Sequence, residues 1–237
     1  MRHRLLLSAS IAGLAVLAWI ALWTMGASAH ASMHHHHHGA ALASAAPPFQ
    51  MPLFIGSWTL MTIAMMLPTT LPLLATFQTI ASARRDRSLL IVLAVVGYLV
   101  IWAAFGVAVY VGQQAAQGIA LGSSAILLLA GVYQFTPLKH RCLDKCRSPL
   151  SFVLSHWQGR HERWQALRLG VDHGAFCVGC CWTLMLLMFV VGMTNVAWML
   201  GLAIVMAVEK NVSWGRRLSA PLGVILLAWC GATLLLF

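Results

Sequence analysis

The chain has 237 residues, of which 60% are hydrophobic and only 8% charged, and it carries a formal net charge of +10. Its mean hydropathy is +0.82, and several apolar runs exceed the ~18 residues that mark a membrane-crossing helix. A water-soluble domain is excluded, and the absence of period-two alternation excludes a membrane β-barrel in favour of helices.

The sequence predicts an all-α, polytopic transmembrane helical bundle of about seven spans, at residues 5–29, 54–82, 89–113, 118–136, 171–192, 194–208 and 217–237. The first span follows Arg2 and Arg4 and ends near "ASA" before His30. Its apolar run of about 20 residues is longer than a signal peptide requires, which favours a retained helix or signal anchor over residues 1–30. Residues 31–52 form an external loop holding the tract His34 to His38. That tract reads either as a weak metal collector or as a disordered spacer. The remainder, 53–237, is expected to be the transmembrane metal-binding domain.

The second span contains "MTIAMMLPTTLPLL", in which Pro68 and Pro72 each remove a backbone donor and break or kink the helix. Basic residues follow in blocks: Arg84, Arg85 and Arg87; then Lys139 to Arg168; then Lys210, Arg216 and Arg217. With Arg2 and Arg4 these complete the 15 lysines and arginines, all on alternate loops of a seven-span chain. The positive-inside rule then puts the N-terminus inside and the C-terminus outside. It also accounts for the basicity without nucleic acid. Residues 137–169 form the one sizeable cytoplasmic loop, where Trp157 and Trp164 among arginines suit the lipid interface. The sixth span is only about 15 residues, or ~22 Å, and reads as a short span or as half of a re-entrant hairpin. A cleaved first helix or a re-entrant sixth would leave six spans.

Five of the six cysteines fall in two clusters, Cys142 and Cys146 in "KHRCLDKCR" and Cys177, Cys180 and Cys181 in "DHGAFCVGCCW". On a helix with His173 at zero, the three later cysteines project at about 40°, −20° and 80°, so all four share one face. They cover ~12 Å along the axis, too long for one ion. Cys177 and Cys181, one turn apart, make the natural bidentate pair. Lys139, Arg141, Lys145 and Arg147 around the first cluster are expected to favour thiolates. Soft sulfur donors with a histidine point to Cu(I), with Zn(II) second. Cys142, Cys146, His173, Cys177, Cys180 and Cys181 are therefore the candidate metal ligands. Met61, Met65, Met66, Met185 and Met188 extend the soft donors or simply fill the core. Cys230, alone, reads as packing, and Glu209 as an acid at a helix end. No Walker-type glycine loop, HExxH motif or Ser-His-Asp arrangement is present, so no catalytic residue is assigned.

The strings "MTIAMMLPTTLP", "YQFTPLKHRCLDKCRSP", "CVGCCWTLM" and "GMTNVAWM…EK" resemble, in order and spacing, an uncharacterised bacterial family of predicted metal-binding integral membrane proteins. The resemblance covers about residues 58–210. It implies a multi-pass protein of the bacterial inner membrane whose cysteines bind metal. The expected function is handling or transport of a soft metal, copper before zinc, or assistance in assembling a membrane metalloprotein. The expected partners are the lipid bilayer and such a metalloprotein or a metal donor protein. Two alternatives stay open: a membrane thiol-disulfide oxidoreductase, and an accessory subunit with a structural Zn site.

Overall fold

A computed structural model describes residues 2–33, 50–115, 123–191 and 195–236, all in helices and short connections. The histidine tract His34 to His38 falls outside the described residues. The elements are α1 (Arg2–Met33), α2 (Gln50–Met65), α3 (Leu71–Ile80), α4 (Arg87–Ala115), α5 (Ser123–Tyr133), α6 (Pro137–Arg147), α7 (Pro149–His156), α8 (Glu162–Leu186), α9 (Met188–Val191), α10 (Val196–Asn211) and α11 (Ser219–Leu236). Two 3-10 turns, Pro68–Thr70 and Gly215–Leu218, join α2 to α3 and α10 to α11.

The expected all-α class holds, but the expected seven spans do not. Among the described residues, four helical segments are long and apolar enough to cross a membrane: Leu5–Met25, Arg87–Ala115, Glu162–Val191 and Gly215–Leu235. A fifth arises if α2 and the segment Pro68–Ile80, bent by 46°, count as one. The other two expected spans fail on length. Helix α5 has 11 residues, or ~16 Å, and α10 has 16, or ~24 Å, both short of a ~30 Å hydrocarbon core. Part of the apolar surface of α5 packs on α11. Gly131 of α5 lies against Leu227 of α11, and Gly223 of α11 against Phe135. The inside placement of the N-terminus rested on seven crossings and falls with them.

The central pair is α4 with α8. Gly97, Gly170 and Gly174 let the two backbones touch: a Cβ at Gly170 would run into the Ala94 carbonyl, and one at Gly97 into the Leu167 carbonyl. Small residues one turn apart are the usual means of close helix approach in membranes. Helix α6 closes on α8 in the same way, with the Cys142 sulfur over Gly179. Trp19 of α1 donates to the Ala64 carbonyl at 3.1 Å, and Trp58 of α2 to the Trp102 carbonyl of α4 at 3.0 Å.

The Pro68 break is repaired locally. Thr69 and Thr70 hydroxyls donate back to the Met66 and Leu67 carbonyls at 2.8 and 2.7 Å. Their backbone amides do the same at 3.1 Å. Such local repair is what makes a broken helix tolerable away from water. It also turns Met66 and Thr69 into the bundle.

All five acids of the chain are in ion pairs: Asp86 with Arg163, Asp144 with Arg216, Glu162 with Arg84, Asp172 with His156 and Arg168, and Glu209 with Lys139. Five of these six pairs are partly exposed. They tie the 84–86 turn to the start of α8, and α6 to the Gly215–Leu218 turn. The Lys139–Glu209 pair is wholly buried, at 2.8 Å. Residues 137–169 are α6, α7 and the first two turns of α8, with Phe152 and Val153 buried in the core.

Candidate metal centre

Cys177, Cys180 and Cys181 are all buried on α8, at 1%, 2% and 0% exposure. Two of the thiols bond backwards along the helix. Cys180 donates to the Cys177 carbonyl at 3.1 Å and Cys181 to the same oxygen at 2.9 Å. The Cys180 thiol also contacts Cys146, Cys177 and Cys181. The two sequence clusters thus meet across the α6–α8 contact.

Around Cys177 the surroundings are polar and come from three further helices. Lys210, near the end of α10, donates to its sulfur at 2.9 Å. The Tyr98 hydroxyl of α4 lies 3.1 Å from the same atom. Lys210 Nζ also reaches the Met66 sulfur at 3.5 Å and the Thr69 hydroxyl at 3.4 Å. Met66 Sδ is in turn 3.9 Å from Cys181 Sγ. The broken helix, α4, α8 and α10 therefore converge on one group: Cys177, Cys180, Cys181, Met66, Thr69, Tyr98 and Lys210.

The six expected ligands separate into positions. Cys177, Cys180 and Cys181 are in the cluster, and Cys146 joins it through Cys180. Cys142 packs its sulfur on Gly179. His173 is buried between the rings of Tyr98 and Phe152, with centroids at 5.8 and 5.6 Å. Its Nδ1 has no hydrogen-bond partner. Among the described residues no three His, Cys, Asp or Glu side chains stand close enough to enclose an ion as they lie.

The basic residues of α6 do not act on its thiols as expected. Lys139 is turned to Glu209 and to Gln134. Arg147 donates to the Glu209 carbonyl and, at 2.8 Å, to that of Ser213. Burial pushes the Cys142 thiol up. The hydrogen bond to Cys180, with burial, holds Cys146 well above its ordinary range. Proximity in sequence did not become proximity of charge.

Three residues of the cluster were not singled out from sequence as site residues: Tyr98, Thr69 and Lys210. Lys210 had a signal, since a lysine closing a 15-residue apolar run is costly without a role. Tyr98 had none. Glu209 is not an interfacial acid but the centre of a buried network, accepting from Lys139 at 2.8 and 3.1 Å and from Ser219 at 2.8 Å. Its neighbour Lys210 is thereby aimed the other way, at the thiols.

The donor set fits a soft metal. Thiolates and thioethers select Cu(I) over hard cations, and the cluster sets cysteine thiols beside a methionine thioether. No curated protein and no solved structure matches this chain. A family described as PpoB2, copper chaperone, matches residues 55–233. That range holds every cysteine and every residue of the cluster. This description agrees with the metal-binding character that the resemblance implied, but the family shown is the copper chaperone family and not the uncharacterised family expected from the cysteine motifs. The chain is a member of the copper chaperone family, built from several long apolar helices.

Proposed function

We propose that this protein carries Cu(I) as cargo in the buried cluster and passes it to a membrane-associated metalloprotein. Cys177 and Cys181 are the thiolate ligands and Met66 the thioether. Cys146 and Cys180, reached across the α6–α8 contact, form the adjoining pair to which the ion exchanges. His173, orphaned at Nδ1 one turn before Cys177, is the nitrogen donor on the way in or out. The observation that carries this reading is the convergence of the Met66 and Cys181 sulfurs, 3.9 Å apart, from helices remote in sequence. Stacked soft donors give a copper ion successive resting points without exposing it to water. We place the protein in the bacterial inner membrane.

Elemental analysis of the purified full chain tests this. Copper at about one ion per chain is expected, lost in Cys177→Ser and Cys181→Ser and retained in Cys230→Ser. Retention of copper in both of the first two variants overturns the ligand assignment. The Cys146–Cys180 contact between two helices favours one competing reading, a thiol-disulfide oxidoreductase. Protein purified without metal but with a Cys146–Cys180 disulfide that reduces and re-forms would decide for that reading.

A further inference from the structure

Lys210 is an unusual group. It is buried in the core, yet it belongs to none of the ion pairs, and all five acids of the chain are committed to other bases. Its partners are the Cys177 sulfur, the Met66 sulfur and the Thr69 hydroxyl. An ammonium removed from water without a carboxylate is strongly disfavoured unless another anion balances it. The nearest group able to supply one is the Cys177 side chain, as a thiolate.

We propose that Lys210 sets the charge selectivity of the metal centre, admitting a soft monovalent ion and rejecting a soft divalent one. The proposal rests on the reading of Cys177 and Cys181 as the ligands. Two thiolates and a monovalent ion carry one net negative charge, which the Lys210 ammonium cancels. Two thiolates and a divalent ion are already neutral, and Lys210 would leave the buried site with one uncompensated positive charge. With its nitrogen 2.9 Å from Cys177 Sγ, Lys210 lies within about 5 Å of any ion bound to that sulfur. At that distance one unit charge changes relative affinity by tenfold or more, even with the screening usual inside proteins. Softness alone does not separate Cu(I) from every thiophilic divalent ion, and the lysine supplies the missing criterion. Lys210 is thus a specificity residue that acts by its charge, without ligating the ion.

The test uses Ag(I) as a redox-inert monovalent probe and Cd(II) as a thiophilic divalent one, offered together to full-length protein in detergent. After desalting, the bound metals are counted, and only the fraction lost in Cys177→Ser is scored, so that His34 to His38 do not contribute. Wild-type protein is expected to retain Ag(I) almost alone. In Lys210→Gln and Lys210→Leu the Ag(I):Cd(II) ratio is expected to fall at least tenfold, and in Lys210→Arg, which keeps the charge, to stay within about threefold of wild type. An unchanged ratio in a folded neutral variant overturns the proposal while leaving the copper-cargo reading intact. Wild-type protein that takes up Cd(II) as readily as Ag(I) overturns it with no variant needed. Wild-type protein with no Cys177-dependent uptake of either ion refutes the cargo reading itself.

Discussion

Glu209→Gln is the substitution that most directly tests how the centre is held. Glu209 accepts from Lys139 at 2.8 and 3.1 Å, and from Ser219 at 2.8 Å. The two charged side chains are 0% and 3% exposed. Removing one charge from such a pair leaves the other buried and uncompensated, which costs about 3–5 kcal/mol. For a chain of this size that corresponds to a fall of roughly 6–20 °C in Tm. Replacing both charges with apolar or neutral groups removes the penalty along with the attraction. Lys139→Met combined with Glu209→Gln is therefore expected to be more stable than Glu209→Gln alone. Thermal unfolding of the detergent-solubilised protein, followed by circular dichroism, measures all four members of the cycle. Equal destabilisation of the single and double variants, or a single-variant loss under about 1 kcal/mol, would refute the argument. Because Glu209 fixes the last turn of α10, the single variant should also weaken Cys177-dependent metal retention.

Two further outcomes follow from close contacts and from a buried imidazole. Gly170→Ala puts a Cβ into the Ala94 backbone, which cannot yield, whereas Gly179→Ala meets the movable Cys142 sulfur at 2.7 Å; the first should destabilise the fold by about 1–3 kcal/mol or more and the second by less, as compared by Tm. His140, with Nδ1 buried and unpartnered, has its pKa lowered from 6.5 by burial and then by Arg216. The unfolded chain then binds the proton more readily, so stability is complete above about pH 6.5 and declines as pH falls below it. His140→Gln should flatten that acid limb in a Tm-versus-pH series, and an unchanged slope would assign the acid sensitivity elsewhere.

Much of the centre was legible because α8 is a regular helix. Once residues 171–192 are read as helical, the spacing of Cys177, Cys180 and Cys181 dictates their direction with no knowledge of neighbours. The helix count was less legible. Hydropathy registers apolar residues but not where a helix ends, so α5 and α10, of 11 and 16 residues, look like spans. Charge was misread for a related reason. Lys139 and Arg147 are close to Cys142 and Cys146 in sequence, but their long side chains reach across to Glu209 and Ser213 on another element.

By itself the sequence determined a helical membrane chain, two thiol clusters of soft-metal character and a broken helix at Pro68. Each follows from local chemistry: apolar run length, residue type and a missing backbone donor. Only the tertiary structure decided that the break delivers Met66 to Cys181, that α6 brings Cys146 to Cys180, and that Lys210 rather than the α6 bases faces the thiols. Those are contacts between residues up to 115 positions apart. They depend on how closely glycines allow α4, α6 and α8 to approach, and on Lys139 taking the one buried acid, Glu209.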